Sequence, residues 1–85
     1  MKNYTTSEFW QCHRRTAFPK VRLYAWLALF NLKIFDDDSK FEPRKLGQFW
    51  SCSVNAFHRA LAIEVEGNRV WFWIGSRAEY DQIGF

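Results

Sequence analysis

Apolar side chains recur at helical spacing through the first 35 residues of the chain. Residues 6–15 form one such segment, and Thr5-Thr6-Ser7-Glu8 at its start predicts a capping box with Thr5 as the N-cap. Pro19 suits the first turn of a second helix, over residues 19–35, because the N–H that proline lacks has no helical partner there. The pattern therefore predicts two antiparallel helices joined by a tight turn.

The second predicted helix is unusual because apolar residues surround most of its circumference. One line of five side chains, at the spacing i, i+3, i+4, i+7 and i+11, predicts the face that packs against the rest of the chain. A second apolar group lies on the opposite side, and so small a domain can rarely cover both. We expect a partner protein to cover the second face, with a homodimer through helix 19–35 as the alternative. The predicted packed face is Leu23, Trp26, Leu27, Phe30 and Ile34, and the second face is Tyr24, Ala25, Ala28, Leu29 and Leu32.

The second half of the chain changes to the period-two alternation of β-strands. Strands are predicted at about residues 50–54, 58–64 and 69–74, joined by turns at Asn55-Ala56 and at Glu66-Gly67-Asn68. The last of these strands is apolar on both faces, so we expect it to lie inside the sheet rather than at an edge. Alternation places two of its residues on one face and three on the other. These are Trp71 and Trp73 on the first face, and Val70, Phe72 and Ile74 on the second.

Three shorter segments complete the pattern. Residues 2–5 can form a short strand, and Asp36-Asp37-Asp38-Ser39 ends the second helix because negative charge opposes the helix dipole there. Phe41–Gly47 is read as a connecting segment. The order of elements predicts an α+β fold, with the antiparallel helix pair packed on one face of a small, mostly antiparallel sheet. The other face of the sheet is expected to remain open to a ligand.

Composition narrows the class of protein. The 85 residues predict a single domain over residues 1–85, of modest stability. Cys12 and Cys52 are too few and too far apart for a disulfide scaffold or a zinc site, which favours single thiols in a reducing cytoplasm. The first residues lack the apolar run of a secretory signal, and Arg22 and Lys33 interrupt the most apolar segment. We therefore expect no cofactor, no metal and no membrane association.

Positive charge is concentrated in the helical half of the chain, although the net charge is only +3. Residues 1–35 contain six basic residues and one acidic residue, a balance of +5. Residues 36–85 contain six basic and eight acidic residues, a balance of −2. A basic helical surface suits an anionic partner, either a nucleic acid or an acidic protein.

The most informative motif lies near the end of the chain. His58–Ile63 and a turn lead into Val70-Trp71-Phe72-Trp73-Ile74-Gly75-Ser76-Arg77-Ala78-Glu79-Tyr80-Asp81. This run, together with the order of helices and strands before it, resembles the toxins of the RelE/ParE superfamily, which belong to bacterial toxin–antitoxin pairs. The resemblance implies a cytoplasmic toxin that is bound and neutralised by an antitoxin encoded beside it.

Two activities occur among such toxins, and the resemblance leaves both open. RelE-like members cleave messenger RNA on the ribosome, whereas ParE-like members poison DNA gyrase. Cleavage by attack of the RNA 2′-oxygen on the neighbouring phosphate requires a base, cations to hold the extra negative charge, and an acid. A ribosome-dependent endoribonuclease without a metal is the first hypothesis. A gyrase inhibitor without catalytic activity is the second, and an inactive relative that still binds an antitoxin is the third.

The resemblance assigns roles to four residues of the motif. Arg59 matches the strand arginine of the family and is the predicted phosphate clamp, with a structural ion pair to a glutamate as the alternative. Arg77 matches a second basic position. Tyr80 matches a C-terminal aromatic position, where it would stack on a base or act as general acid, or would only cover the edge of the core. His58 replaces the usual tyrosine and is either a general base or a structural residue.

The segment before the strands supplies the remaining candidates. Lys40, Arg44 and Lys45 correspond to lysines that RNA-cleaving relatives carry in this loop, and they are the predicted RNA-binding residues. Ser53, by contrast, stands where relatives often carry a basic residue. The catalytic set is therefore incomplete by comparison with the family.

Overall fold

The computed structural model describes residues 2–16, 19–35 and 43–83. The predicted helix end at residues 36–39 lies outside these ranges. None of the helices within them is long and apolar enough to cross a membrane. The elements in chain order are β1 (Asn3–Thr5), α1 (Ser7–Arg15), α2 (Pro19–Phe35), β2 (Arg44–Leu46), β3 (Phe49–Asn55), β4 (His58–Val65), β5 (Asn68–Ser76) and α3 (Arg77–Ile83).

The five strands form one sheet in the order β1-β5-β4-β3-β2. β1 runs parallel to β5, and the other neighbouring strands are antiparallel. Helices α1 and α2 contribute Phe9 and Ala28 to the buried core on one face of this sheet. The predicted α+β class is therefore confirmed, as are the short first strand and the internal position of β5. Strand β2 lies within the segment predicted to be a connection, and the turn after it uses the positive φ of Gly47.

Helix α1 begins one residue later than predicted. Thr5 is still part of β1, where it lies opposite Trp71. Thr6 is the N-cap instead, because its Oγ1 accepts a hydrogen bond from the Phe9 N–H at 3.1 Å. Thr5 Oγ1 accepts a hydrogen bond from Trp10 Nε1 at 3.0 Å. This bond ties the first turn of the helix to the sheet.

Helix α2 has the predicted bounds but packs through the opposite face. Ala25 and Ala28 are completely buried, with two leucines beside them, whereas the line predicted to pack is between 42% and 61% exposed. The alanines explain this choice, since small side chains let the helix lie close to the sheet and bulky rings would hold it away. The predicted packed face was wrong. The exposed line, called the α2 stripe from here on, is Leu23, Trp26, Leu27, Phe30 and Ile34.

A β-bulge at Phe72 interrupts the alternation of β5. Leu61 of β4 lies opposite Trp73, but the next residue, Ala62, lies opposite Trp71, which leaves Phe72 as the extra residue. Trp71 is therefore buried on the helix side of the sheet, while Trp73 lies on the other side. The prediction that both tryptophans share a face was wrong, because simple alternation does not allow for an inserted residue.

A buried chain of hydrogen bonds joins the strands to α2. Trp71 Nε1 donates to Asn3 Oδ1 at 3.1 Å, and Asn3 Nδ2 donates to the backbone carbonyl of Leu32 at 3.5 Å. Phe9 of α1 packs in the same core. Apolar contact and a polar link thus both fix the helices on the sheet.

We expect the two free thiols to react with Ellman's reagent at very different rates. Burial raises the pKa of the Cys52 thiol to about 12, so almost none of it is thiolate at neutral pH. Cys12 is only partly buried. One thiol per chain should therefore react in native buffer and both in guanidinium chloride. Cys12→Ser should remove the native reaction, and equal reactivity of both thiols in the native state would contradict the packing of β3.

Candidate functional site

The sheet face away from α1 and α2, here called the open face, carries Arg59. Arg59 lies opposite Ser53 of β3 and Gly75 of β5. Cross-strand partners share a face of the sheet, so all three lie on the open face. Both partners are small, which leaves space around the half-buried arginine.

Helix α3 folds over part of the open face, which was expected to be uncovered. Ser76 and Glu79 form a capping box at its start. Ser76 Oγ accepts a hydrogen bond from the Glu79 N–H at 3.2 Å, and Glu79 Oε1 accepts one from the Ser76 N–H at 3.0 Å. The Arg77 N–H donates to the backbone carbonyl of Phe57 at 2.7 Å. These bonds set the direction of the helix from its first turn.

Tyr80 of α3 lies directly against Arg59. The centroid of its ring is 5.0 Å from the guanidinium carbon of Arg59, a cation–π distance. Ser51 Oγ donates to the Tyr80 hydroxyl oxygen at 3.3 Å, and the Trp73 ring is 6.5 Å away between centroids. Gly75 makes room for this arrangement, because a Cβ there would lie 2.5 Å from Trp73 Cζ2. Arg59 and Tyr80, both predicted site residues, therefore meet on the open face.

None of the carboxylates in the described ranges pairs with the Arg59 guanidinium. Glu64 instead accepts a hydrogen bond from Lys45 Nζ at 3.2 Å. Glu79 Oε1 accepts hydrogen bonds from Ser76. The alternative prediction, a structural ion pair between Arg59 and one of these glutamates, is therefore not found. A half-buried arginine in this setting can bind an anion such as phosphate.

The predicted basic loop is divided between the two faces of the sheet. Arg44 lies opposite Ser51, which places it on the open face with the tyrosine. Lys45 follows it on the other face, where its Nζ pairs with Glu64. Lys40 lies outside the described residues.

The other two predicted catalytic residues do not join Arg59 and Tyr80. The Arg77 side chain is exposed at the start of α3. His58 precedes Arg59 along β4, so it lies on the opposite face, where it is buried with Nδ1 3.1 Å from Asn55 Oδ1. A role for His58 in proton transfer remains a prediction, and it would operate away from the open face.

His58 lines a cavity of about 320 Å³ between α1, the end of β5 and α3. Cys12 and Arg15 of α1 and Glu79 of α3 also line it. Hydrogen bonds from Ser76 lower the pKa of the Glu79 carboxyl, and the charges of Arg15 and His58 lower it further. Among the described residues, no three His, Cys, Asp or Glu side chains are grouped as a metal site. Gly75 and Trp73 line the cavity as well, so it adjoins the Arg59 surface.

Three solved structures share this architecture over nearly their whole length. The YoeB/ParE toxin from Agrobacterium tumefaciens superposes with a TM-score of 0.64 at 19% identity, covering 91% of this chain and 99% of that one.

This chain has the RelE/ParE toxin fold.

A copper-bound mutant toxin from Helicobacter pylori gives a TM-score of 0.58 at 16% identity, covering 93% of this chain and 97% of its own. YafQ from E. coli gives 0.57 at 10% identity, covering 93% and 96%. No protein-family model and no curated protein sequence matches this chain. The resemblance drawn from the terminal motif is thus confirmed for the RelE/ParE fold.

Three residues that hold Tyr80 over Arg59 in this RelE/ParE fold were not identified from the sequence. The spacing of Ser76 and Glu79 is a capping-box signal and could have predicted the start of α3. The position of α3 on the open face has no such signal, because it depends on contacts between separate strands. The three residues are Ser51, Trp73 and Gly75.

We expect α3 of this RelE/ParE fold to loosen in acid. The Ser76 N–H, and then its hydroxyl, lower the pKa of Glu79 from the ordinary value of 4.5. A carboxylate with a lowered pKa stabilises the folded state fully above the ordinary value, and this contribution is lost as the pH falls through the lower, folded-state pKa. Amide hydrogen exchange in α3, corrected for its intrinsic rate, should accelerate roughly threefold between about pH 6 and about pH 3.

The matched variants for this test are Glu79→Gln and Asp81→Asn, which each replace one carboxylate of α3 by an amide. Glu79→Gln should exchange faster already at about pH 6 and lose most of the pH dependence. Asp81→Asn should behave like the unmodified chain. A pH dependence that persists in Glu79→Gln would show that another group anchors the helix.

Proposed function

We propose that this chain is the toxin of a bacterial toxin–antitoxin pair and that it stops translation by cutting messenger RNA on the ribosome. The observation that carries this proposal is the Arg59–Tyr80 pair. Arg59 offers a cation for a phosphate, and the Tyr80 ring, 5.0 Å from it, can stack on a base. A phosphate and a base are neighbouring parts of one nucleotide, so the pair suits single-stranded RNA.

In the proposed reaction, the RNA 2′-hydroxyl gives its proton to water as its oxygen attacks the adjacent phosphorus, and the bond from phosphorus to the 5′-oxygen breaks. The products are a 2′,3′-cyclic phosphate and a 5′-hydroxyl. Arg59 binds the phosphate oxygens and stabilises the extra negative charge of the transition state. The Tyr80 hydroxyl, oriented by Ser51, protonates the leaving 5′-oxygen. Arg44, on the same face, binds a neighbouring phosphate.

A second candidate is inhibition of DNA gyrase without catalysis, and two observations favour it. Ser53 lies beside Arg59 where relatives often carry a basic residue, and Lys45 is turned away to Glu64. The set of cations on the open face is therefore small. The exposed α2 stripe, on a basic helix pair, also offers a surface for binding another protein.

The two candidates make different predictions for the purified chain. In a reconstituted translation system, an endoribonuclease should cut messages within their reading frames, only during translation, leaving 2′,3′-cyclic phosphate ends. Supercoiling by purified gyrase should then be unaffected. Intact messages with blocked supercoiling would support the second candidate. If a chain shown by circular dichroism to be folded neither cuts messages nor blocks supercoiling, both candidate functions are overturned. The chain would then be an inactive relative that binds an antitoxin.

The proposal includes a cytoplasmic location, where ribosomes and gyrase are found, and an antitoxin as the regular partner. The exposed apolar side chains of the α2 stripe support a protein partner, since a surface of this kind is costly to leave in water. Toxicity would be prevented while the antitoxin is bound.

A further inference from the structure

We infer that the α2 stripe binds an acidic amphipathic helix of a partner protein. The inference rests on the proposed function in one respect, which is that the partner is taken to be the antitoxin. The α2 stripe lies on the outer side of its helix, because the inner side is buried in the core with Ala25 and Ala28. The kind of partner that binds the α2 stripe can therefore be inferred without reference to the chemistry of the open face.

The spacing of the α2 stripe matches a contact between two helices. Its members follow the spacing i, i+3, i+4, i+7 and i+11, so they lie along one side of a helix of 17 residues, about 25 Å long. Trp26 and Phe30 stack at the middle of this line, with ring centroids 5.7 Å apart and planes 20° apart. An apolar stripe about as wide as one helix, with stacked rings at its middle, can pack against the apolar side of a second helix.

The α2 stripe is held in place before any partner arrives. Behind it, Ala28 is completely buried and the Leu32 carbonyl accepts the hydrogen bond from Asn3 in β1. The helix is therefore fixed to the sheet at its C-terminal half. At its N-terminal half, His13 Nε2 of α1 lies 2.9 Å from the Arg22 carbonyl oxygen. A partner would lose little free energy in ordering this side of the interface.

The borders of the α2 stripe are basic. Residues 19–35 contain three basic residues and no acidic residue. At 3.6 residues per turn, Lys20 falls on one border of the stripe and Arg22 on the other, whereas Lys33, on the same side as Arg22, donates from Nζ to Thr5 Oγ1 at 3.0 Å. Arg22 Nη1 also donates to the Arg14 carbonyl at 3.5 Å, which continues the positive border onto α1. Acidic residues on both sides of the partner's apolar line would match these charges.

A second copy of the chain fits this surface poorly. Two α2 helices packed through their stripes, in either direction, would bring the basic borders of one against those of the other. Neither helix contains an acidic residue to separate them. Like charges across an interface disfavour it, so the charges favour an acidic helix over the homodimer through helix 19–35.

The test is the dissociation constant of the complex between this chain and the protein encoded by the adjacent reading frame, measured by calorimetry. Leu27→Glu places a carboxylate in the middle of the stripe and should weaken the complex by a factor on the order of thirty. Lys20→Glu should weaken it less and reduce its dependence on salt. Val65→Glu is the control, because it makes the same charge at a comparably exposed site, 47% against 42%, at the end of β4.

Each outcome separates this inference from the proposed function. A complex that Leu27→Glu and the milder Leu23→Ala leave unchanged would overturn the α2 site and leave the toxin–antitoxin proposal standing. No complex with the unmodified chain would overturn the proposed partner itself. If sedimentation shows that the isolated chain self-associates and that Leu27→Glu abolishes this, the stripe binds a second copy of the chain. Binding of anionic phospholipid vesicles through Leu27 would assign it to a membrane surface, against the inference.

Discussion

Arg59→Ala is expected to slow message cleavage by a factor on the order of 10²–10³, because it removes the donor proposed to hold the transition-state charge. The side chain is half-buried on the sheet surface and stacks on Tyr80 without an ion pair to a described carboxylate. Its removal should therefore affect chemistry far more than folding. Single-turnover cleavage on translating ribosomes would measure the effect, with circular dichroism to confirm the fold.

Two further variants define what Arg59 contributes. Arg59→Lys keeps the charge but loses the planar fork that grips a phosphate with two hydrogen bonds, so an intermediate rate is expected. Arg14→Ala removes an exposed positive charge from α1 and should leave the rate unchanged. If Arg59→Ala cleaves as fast as the unmodified chain, Arg59 is not the phosphate clamp. If cleavage is absent throughout and gyrase inhibition survives Arg59→Ala, the second candidate function is favoured.

Trp71→Ala is expected to lower the free energy of unfolding by about 3–5 kcal/mol. Trp71 is completely buried among the helices and strands, and its Nε1 satisfies Asn3 Oδ1. The substitution would leave both a large cavity and a buried acceptor without its donor. Small domains are stable by only about 5–15 kcal/mol in total, so much of the variant should be unfolded at 37 °C. Urea unfolding followed by circular dichroism would give the difference.

Trp26→Ala is the matched control for this prediction. Trp26 has the same side chain but is 47% exposed on the α2 stripe. Its removal should cost less than about 1 kcal/mol. Equal losses from Trp26→Ala and Trp71→Ala would contradict the packing of both α2 and β5.

The sequence predicts the elements of this fold better than the faces through which they pack. Pro19 and helical spacing place α2 correctly, and alternation finds the three long strands. Two apolar lines of α2 fit helical spacing equally well, however, and the decisive property is the small size of Ala25 and Ala28 against the sheet. The bulge at Phe72 similarly exchanges the faces of the residues around it. Both outcomes depend on close packing in three dimensions, which a linear pattern does not contain.

In the candidate site, too, the sequence predicts some features and three-dimensional packing decides the others. Arg59 and Tyr80 follow from the terminal motif, and the structure brings them together. Alternation along β4 already implies that His58 and Arg59 lie on opposite faces, so this separation could have been predicted. The placement of Arg44 and Lys45 on opposite faces of the sheet could not have been predicted, because β2 is too short to show a periodic pattern. Its pairing with β3 decides which of the two lies on the open face.

The parallel pairing of β1 with β5 bears on when a newly made chain can fold. Asn3 lies opposite Arg69, so the first strand must wait for the last one to leave the ribosome. Strand pairings between distant parts of the chain form late, because the entropy cost of closing the long loop is incurred before the new contacts stabilise the fold. Tyr80 emerges later still. During most of its own synthesis, therefore, the chain has neither a completed sheet nor an assembled Arg59 surface. Any activity of the Arg59–Tyr80 pair must wait until both β5 and α3 have left the ribosome.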